Sequence, residues 1–382
     1  MNFTGTKRIL VIKLRHIGDV LLTVPVFRAL REHFREADIS ALVNSGTEEV
    51  LKGNPLIDEI LTFERSIKGL SPLKRYLNEA GFLMGLRDKR FDMTVDLTGG
   101  DRPAVISFVS GARYRLGWKP KKGFIGKKRL YTHLSDPDGQ KHMVLQNLGV
   151  LSRFGIQTDD LSVSFHVPEA DRTDVIRILG ANNVTEHDTI VHIHPTSRWL
   201  FKCWKDEYMA EIMEWLLGRN IVVIVTSSPE MREMEKARKV LSLVGRNQRL
   251  IDLCGKTTIK QLGAVSEMSS LFFGVDSAPM HIAAAVGTPV IALFGPSGAF
   301  NWGPWDNDNS RLTVPSSQFE NPYAQRNGIQ KFGIHTVIQR DWECIPCGSD
   351  GCEGSKVSRC LEEIPVDEVR TVIEERLRRR GR

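Results

Sequence analysis

The apolar positions of this chain fall into short continuous runs separated by stretches with a helical stripe. Arg8 to Lys13 holds four consecutive apolar residues between two basic ones, the pattern of a strand covered on both faces. From Gly18 to Phe34 the residues Val20, Leu21, Val24, Phe27 and Leu30 recur at helical spacing and predict one long helix. Ile39 to Val43 reads as strand, Glu48 to Lys52 as a short helix, Glu59 to Phe63 as strand, Leu73 to Lys89 as helix and Met93 to Leu97 as strand. This alternation predicts a parallel sheet with helices on both faces. Ser162 to Val167 alternates like an edge strand, and a helix follows from Pro168 to about Leu179. After the polar stretch Asn182 to Asp188 the alternation restarts. It runs strand Ile190 to Ile193, helix Asp206 to Arg219, strand Val222 to Thr226, helix Pro229 to Leu243 and strand Arg249 to Leu253.

The most informative run is Gly274 to Gly295. Leu271 to Val275 ends a buried strand, Asp276 and Ser277 stand where a helix N-cap belongs, and Pro279 fits the first helical turn. Met280 to Val286 continues as a small-residue helix, Gly287 stops it, and Pro289 to Phe294 is the next strand. A helix N-terminus opening just after a strand presents unpaired N–H groups and the positive end of a dipole, which suits a phosphate. His281 lies in the first turns of that helix, near the same ligand. The pattern is that of an open α/β sheet with a nucleotide at the carboxyl ends of its strands.

A chain of 382 residues exceeds one typical core, and the alternation occurs twice. Two doubly wound domains follow, at 1–175 and 176–360, with a terminal helix at 361–382. The net charge of +6 is too slight to mark a nucleic-acid coat. Two basic clusters stand out: Lys119, Lys121, Lys122, Lys127, Lys128 and Arg129, and the tail Arg376, Arg378, Arg379, Arg380 and Arg382. They are either solvated surface or an attraction to an anionic leaflet or phosphorylated acceptor. No run approaches the ~18 apolar residues of a membrane span, and the chain opens directly into a strand without a secretory segment. The expected location is the cytoplasm.

Four strand ends carry polar residues that suit chemistry. In Lys13-Leu-Arg-His-Ile-Gly-Asp-Val20, Asp19 is either a helix cap or a carboxylate acting as general base. In His194 to Trp204, Thr196 and Ser197 supply hydroxyls, and Arg198 and Lys202 supply charge, a combination that suits a diphosphate. In Thr226-Ser-Ser-Pro-Glu230, Ser228 caps a helix, and Glu230 either accepts from a ribose or favours the helix dipole. Cys254-Gly-Lys-Thr-Thr258 resembles part of a P-loop, but the glycine spacing of a Walker A motif is absent, as is any G-x-G-x-x-G. Cys344, Cys347, Cys352 and Cys360 form either a structural metal site or a compact loop of reduced thiols.

Taken together, Arg8 to Pro25, His194 to Trp204 and Gly274 to Gly295 resemble, in order and spacing, the signatures of the ADP-heptose:lipopolysaccharide heptosyltransferases, glycosyltransferase family 9. Phe201-Lys-Cys-Trp204 is most similar to heptosyltransferase III, which adds a branching heptose to the inner core. The resemblance implies a GT-B fold: an N-terminal acceptor-binding and a C-terminal donor-binding Rossmann-like domain facing a cleft, the last helix packing back on the first. It implies an inverting, metal-independent transfer of heptose from ADP-heptose to a lipopolysaccharide core, at the cytoplasmic face of the inner membrane. No cofactor and no nucleic acid are implied. By this likeness Asp19 is the general base, while Thr196, Ser197 and Lys202 hold the diphosphate and Lys202 offsets charge on the leaving ADP. Glu230 meets the ribose, and Lys256 and Thr257 lie near the adenine. Asp276 touches the heptose, and Ser277, Ala278 and His281 line the phosphate end of the helix. Lys13, Arg15 and the 119–129 cluster are acceptor candidates. Two other readings stay open: a GT-B transferase or epimerase using another nucleotide sugar, and a non-catalytic nucleotide-binding protein.

Overall fold

The structure is a computed structural model describing residues 3–64, 71–310 and 319–378. Arg379, Arg380 and Arg382 of the basic tail lie outside these described residues. The chain forms two compact units. The first runs to Ser164, and the second takes the described residues from Phe165 onward except Phe319.

The first unit holds six parallel strands: β1 (Arg8–Lys13), β2 (Asp38–Asn44), β3 (Glu59–Phe63), β4 (Met93–Asp96), β5 (Tyr114–Trp118) and β6 (His133–Ser135), in the order β3-β2-β1-β4-β5-β6. The second holds β7 (Ile190–His194), β8 (Val222–Val225), β9 (Leu250–Asp252), β10 (Leu271–Val275), β11 (Val290–Phe294), β12 (Gln330–Phe332) and β13 (His335–Gln339). Its order is β12-β13-β11-β10-β7-β8-β9, with β12 antiparallel to β13 and the other pairs parallel. Each unit's first strand is thus flanked by its second and its fourth. The chain reverses winding direction there, and a crevice opens beyond the strand ends between β1 and β4, and between β7 and β10. At the second of these, a Cβ on Gly274 would lie 2.7 Å from the His194 carbonyl oxygen, so the close approach of β10 to β7 requires glycine.

The central strands β1, β10 and β11 are buried on two faces, as their continuous apolar patterns predict. In the second unit alternate residues Val191, Ile193, Val223, Val225, Phe273 and Leu293 share one core with Met213 and Leu216 of helix Asp206–Leu217. The same core takes Val366, Val369 and Ile373 of the last helix, Val366–Arg378. Arg370 of that helix pairs with Glu211 at 2.8 Å. The last helix, expected to pack on the first domain, is therefore built into the second, because its apolar stripe completes that core. The boundary falls at 164/165, earlier than 175. Helix Glu169–Ala181 joins the second unit, with Arg172 binding both oxygens of Glu267 at 2.7 and 3.0 Å.

Two further elements differ from expectation. The single helix over 18–34 is two, Ile17–Leu21 and Val24–His33, because Pro25 has no N–H to donate and its ring excludes the carbonyl four residues back. Ser162–Val167 is extended but not a strand. Its carbonyls accept from side chains instead of a ladder: that of Ser162 from Arg28 at 2.7 Å, and that of His166 from Lys260 at 2.7 Å.

Candidate functional site

The second sheet lays five strand ends side by side in the order β9, β8, β7, β10, β11. At about 4.8 Å between strands, that edge spans roughly 19 Å. Its polar residues come in the same order: Lys256 and Thr257 after β9, Glu230 after β8, Thr196 to Lys202 after β7, Asp276 to His281 after β10, and Ser297 after β11. The β7 and β10 loops meet directly. Lys202 Nζ lies 2.6 Å from Asp276 Oδ2, with both side chains largely buried. Ser297 Oγ donates to the same carboxylate oxygen. Gln339 Nε2, at the end of β13, donates to the carbonyls of Gly295 and Ser297 at 2.8 and 2.7 Å and fixes the loop that carries this serine.

Behind the β7 loop runs a buried polar chain. His192 binds Ser266 and Thr226 through its two ring nitrogens, at 2.9 and 2.7 Å, and His194 Nδ1 lies 2.8 Å from the Thr226 hydroxyl. Burial pushes the His194 imidazole down to about 3 and that of His192 well below its ordinary value, so both rings are neutral. Thr196 Oγ1 donates to Glu233 at 3.0 Å, and burial raises this carboxyl despite the hydroxyls of Thr196 and Ser228. Ser197 is buried; its Oγ accepts from the Trp199 amide at 3.4 Å. Trp204 is buried and donates to the Ile364 carbonyl, whereas Trp199 and Leu200 are exposed.

Helix Ala278–Ala285 begins as expected, with Ser277 at its N-cap and Pro279 in its first turn. The Ser277 hydroxyl turns back to the Val275 carbonyl at 3.2 Å, so no side chain caps the helix. His281 is buried in its second turn. Helix Met231–Leu243 starts two residues later than expected, with Glu230 at its N-cap; Ser228 Oγ accepts from the Glu230 amide and the Glu230 side chain is exposed. Lys256 is exposed and donates to the Asp252 carbonyl at 2.8 Å, and Thr257 is half-buried. A cavity of about 910 Å³ lies at the other end of this sheet, where Ile190 and Ile221 begin or precede strands, away from all these residues.

In the first unit Asp19 stands half-buried on the short helix after β1, and its carboxylate makes no hydrogen bond or ion pair among the described residues. Lys13 is buried. Its ammonium donates to the Leu97 carbonyl and to Asn147 Oδ1, both at 3.0 Å, and Asn147 Nδ2 donates to the Leu22 carbonyl at 3.1 Å. This bridge ties the end of helix Ile17–Leu21 to β1 and to helix Met143–Ser152. Burial lowers Lys13 to about 8, opposed by the Asp19 charge. Lys13 was expected as an acceptor contact; its ammonium is engaged by Leu97 and Asn147 in this structure.

Arg15 is exposed and lines a cavity of about 190 Å³ with Asn44, Phe63, Thr98 and Arg102, beyond the ends of β1 to β4. Asn44 Nδ2 donates to the Arg15 carbonyl at 3.0 Å, while Asn44 Oδ1 is buried with no hydrogen-bond partner among the described residues. Arg102 lies over the Phe63 ring at 5.0 Å and pairs with Glu79 at 3.3 Å. Of the basic cluster, Lys127 is buried, donating to the Gly99 carbonyl at 2.8 Å and pairing with Asp101 at 3.0 Å.

The four late cysteines are free thiols: Cys360 is buried, Cys352 partly buried, and Cys344 and Cys347 are exposed. Burial, then the nearby thiols of Cys352, Cys347 and Cys344, push Cys360 up to about 12. Among the described residues no three Cys, His, Asp or Glu side chains form a group that could hold a metal ion. The cysteine loop backs the Ser297 loop through the Gly348 amide, which donates to the Pro296 carbonyl at 2.9 Å.

Sequence reasoning missed Ser297, Gln339, Glu233, Asn44, Asn147 and Arg102. A hydroxyl right after a buried strand, the signal that singled out Thr196, was also available for Ser297. Glu233 is one of several acids on an amphipathic helix, and nothing in its spacing marks it as buried.

Residues 81–326 match the model of glycosyltransferase family 9 (heptosyltransferase). The chain is 32% identical over 294 residues to lipopolysaccharide heptosyltransferase 3 of Escherichia coli K12, covering 76% of this chain and 83% of that one. A family 9 glycosyltransferase of Veillonella parvula superposes with a TM-score of 0.76 at 20% identity, covering 97% of each chain. An E. coli heptosyltransferase solved with ADP superposes at 0.66 and 16% identity, covering 97% of this chain and 99% of that one. These likenesses agree with a pair of Rossmann-like units of the GT-B class.

Proposed function

Because the chain belongs to glycosyltransferase family 9, the heptosyltransferases of the lipopolysaccharide core, most like heptosyltransferase III, we propose that it transfers heptose from ADP-heptose to a heptose of the inner core, inverting the anomeric centre. The observation that carries the donor half is the Lys202–Asp276–Ser297 cluster at the β7/β10 switch point. The polar edge beside it follows the order of a nucleotide sugar: adenine at Lys256 and Thr257, ribose at Glu230, diphosphate at Thr196, Ser197 and Lys202, heptose at Asp276. The amides of the N-cap Ser277 and of Ala278, with His281 behind them, face the phosphates.

In the reaction Asp19 takes the proton of the acceptor hydroxyl as its oxygen bonds to the anomeric carbon. The bond from that carbon to the β-phosphate oxygen breaks on the opposite side, and its electron pair leaves with ADP. Lys202 and the helix amides stabilise the charge that develops there, so the reading calls for no metal ion. Donor binding gives the Lys202 ammonium a second anion, the diphosphate, and the Ser297 hydroxyl keeps Asp276 oriented while the ammonium is shared.

The acceptor sugar takes the cavity between Arg15, Asn44 and Arg102. The guanidiniums suit a phosphate or carboxylate on the core. The buried Asn44 Oδ1 suits a sugar hydroxyl, and the Phe63 ring an apolar sugar face. Arg102→Ala is expected to raise KM for the core acceptor about tenfold while leaving KM for ADP-heptose unchanged, as measured by initial rates. An unchanged acceptor KM removes this cavity from the site. The reading as a whole is tested by donor choice. The enzyme should consume ADP-heptose and ignore UDP-sugars in the presence of core acceptor; turnover of UDP-sugars would favour a GT-B enzyme of another specificity. In this reading the protein works peripherally at the cytoplasmic face of the inner membrane; among the described residues no helix is long and apolar enough to cross one.

A further inference from the structure

The segment 119–129 reads Lys-Pro-Lys-Lys-Gly-Phe-Ile-Gly-Lys-Lys-Arg, with six basic residues and no acid. Lys119, Lys121, Lys122, Lys128 and Arg129 are exposed. At the tip between them, Phe124 is 44% exposed and Ile125 fully so, at 104%. Glycines make the turns on either side, Gly123 at φ 123° and Gly126 at φ 91°. The base of the loop is fixed: buried Lys127 binds the Gly99 carbonyl and Asp101, and a Cβ on Gly123 would come within 2.3 Å of Asp101 Oδ1. The neighbouring acids are engaged at that base, Asp101 by Lys127 and Asp136 by Lys119 at 3.2 Å and Arg153 at 3.0 Å.

We propose that this loop docks the protein on an anionic bilayer surface, with Phe124 and Ile125 entering the boundary between headgroups and acyl chains and the surrounding cations meeting lipid phosphates. Ile125 is fully exposed and Phe124 nearly half exposed amid these cations, and a basic rim around an apolar tip is complementary to an anionic interface. A carbohydrate ligand would use the cations but not a bare isoleucine. Lys127 ties the loop to the segment after β4, on the same strand-end edge as Asp19, so docking would present that edge to membrane-borne sugars. That consequence rests on the proposed function; the docking itself does not.

The test is co-sedimentation of the full chain with vesicles of three parts phosphatidylethanolamine to one part phosphatidylglycerol, compared with phosphatidylcholine vesicles. The wild type should partition onto the anionic vesicles and be released by high salt. The Phe124→Ser/Ile125→Ser variant should lose at least tenfold in partition coefficient. Lys121→Ser/Lys122→Ser should lose roughly 25-fold at low salt, from about fivefold per basic residue. Unchanged melting temperatures would show that both variants fold. Equal partition of wild type and variants, or equal binding to phosphatidylcholine, overturns the proposal. So does a loss of transfer by the Phe124→Ser/Ile125→Ser variant toward deacylated, soluble core as large as that toward vesicle-borne acceptor, which would make the loop a sugar contact. Salt-sensitive docking by a wild type that transfers heptose to neither acceptor would uphold the docking and overturn the proposed function.

Discussion

Asp19→Asn should lower kcat for heptose transfer by roughly 100- to 10,000-fold, the range for removing a positioned general base. The substitution keeps the size and shape of the side chain and removes its capacity to take a proton. The short helix that carries it is held from outside, by Lys13 and Asn147 to the Leu22 carbonyl, so the fold of the first unit should be unchanged. ADP-heptose contacts are assigned to the second unit, and KM for the donor should stay within about twofold. Stopped assays with donor and core acceptor, beside a thermal melt, check both statements. Full turnover in the asparagine variant would return Asp19 to the role of a helix-terminal acid.

Lys202→Met should lower kcat about 100- to 1,000-fold, the cost of losing one preorganised group at the site of developing charge, and weaken ADP binding at least tenfold in calorimetry. Methionine retains an apolar stem and loses the ammonium. The change also leaves Asp276 with Ser297 but without its cation, so a carboxylate facing the diphosphate would then oppose donor binding. Unchanged ADP affinity would remove Lys202 from the phosphate site, whatever happened to turnover.

What could be read from the sequence follows its physical cause. Continuous apolar runs flanked by charged or polar residues defined β1 and β10 to the residue, because strands buried on both faces admit little else. Short strands with mixed composition, such as Tyr114–Trp118 and His133–Ser135, carry no such signal and were not foreseen. The helix break at Pro25 was written in the chain, but the apolar stripe ran through it. At the site, the loops after β7 and β10 were each identifiable, whereas the Lys202–Asp276 pair was not. Its members are 74 residues apart, and only the strand order that places β7 beside β10 brings them to 2.6 Å. Lys13 shows the converse. A lysine at a strand end beside the expected base looks like a ligand contact, and its burial against Leu97 and Asn147 becomes visible only when β4 and a helix 130 residues away are in place.

The most direct measurement incubates the purified wild-type chain with ADP-heptose and deacylated, heptose-terminated core oligosaccharide, then reads the product by mass and the new linkage by NMR. The account predicts one added heptose per acceptor, an anomeric configuration opposite to that of the donor, and ADP released in equal amount. Hydrolysis or epimerisation of the donor without a mass gain on the acceptor, or transfer with retained configuration, would contradict it.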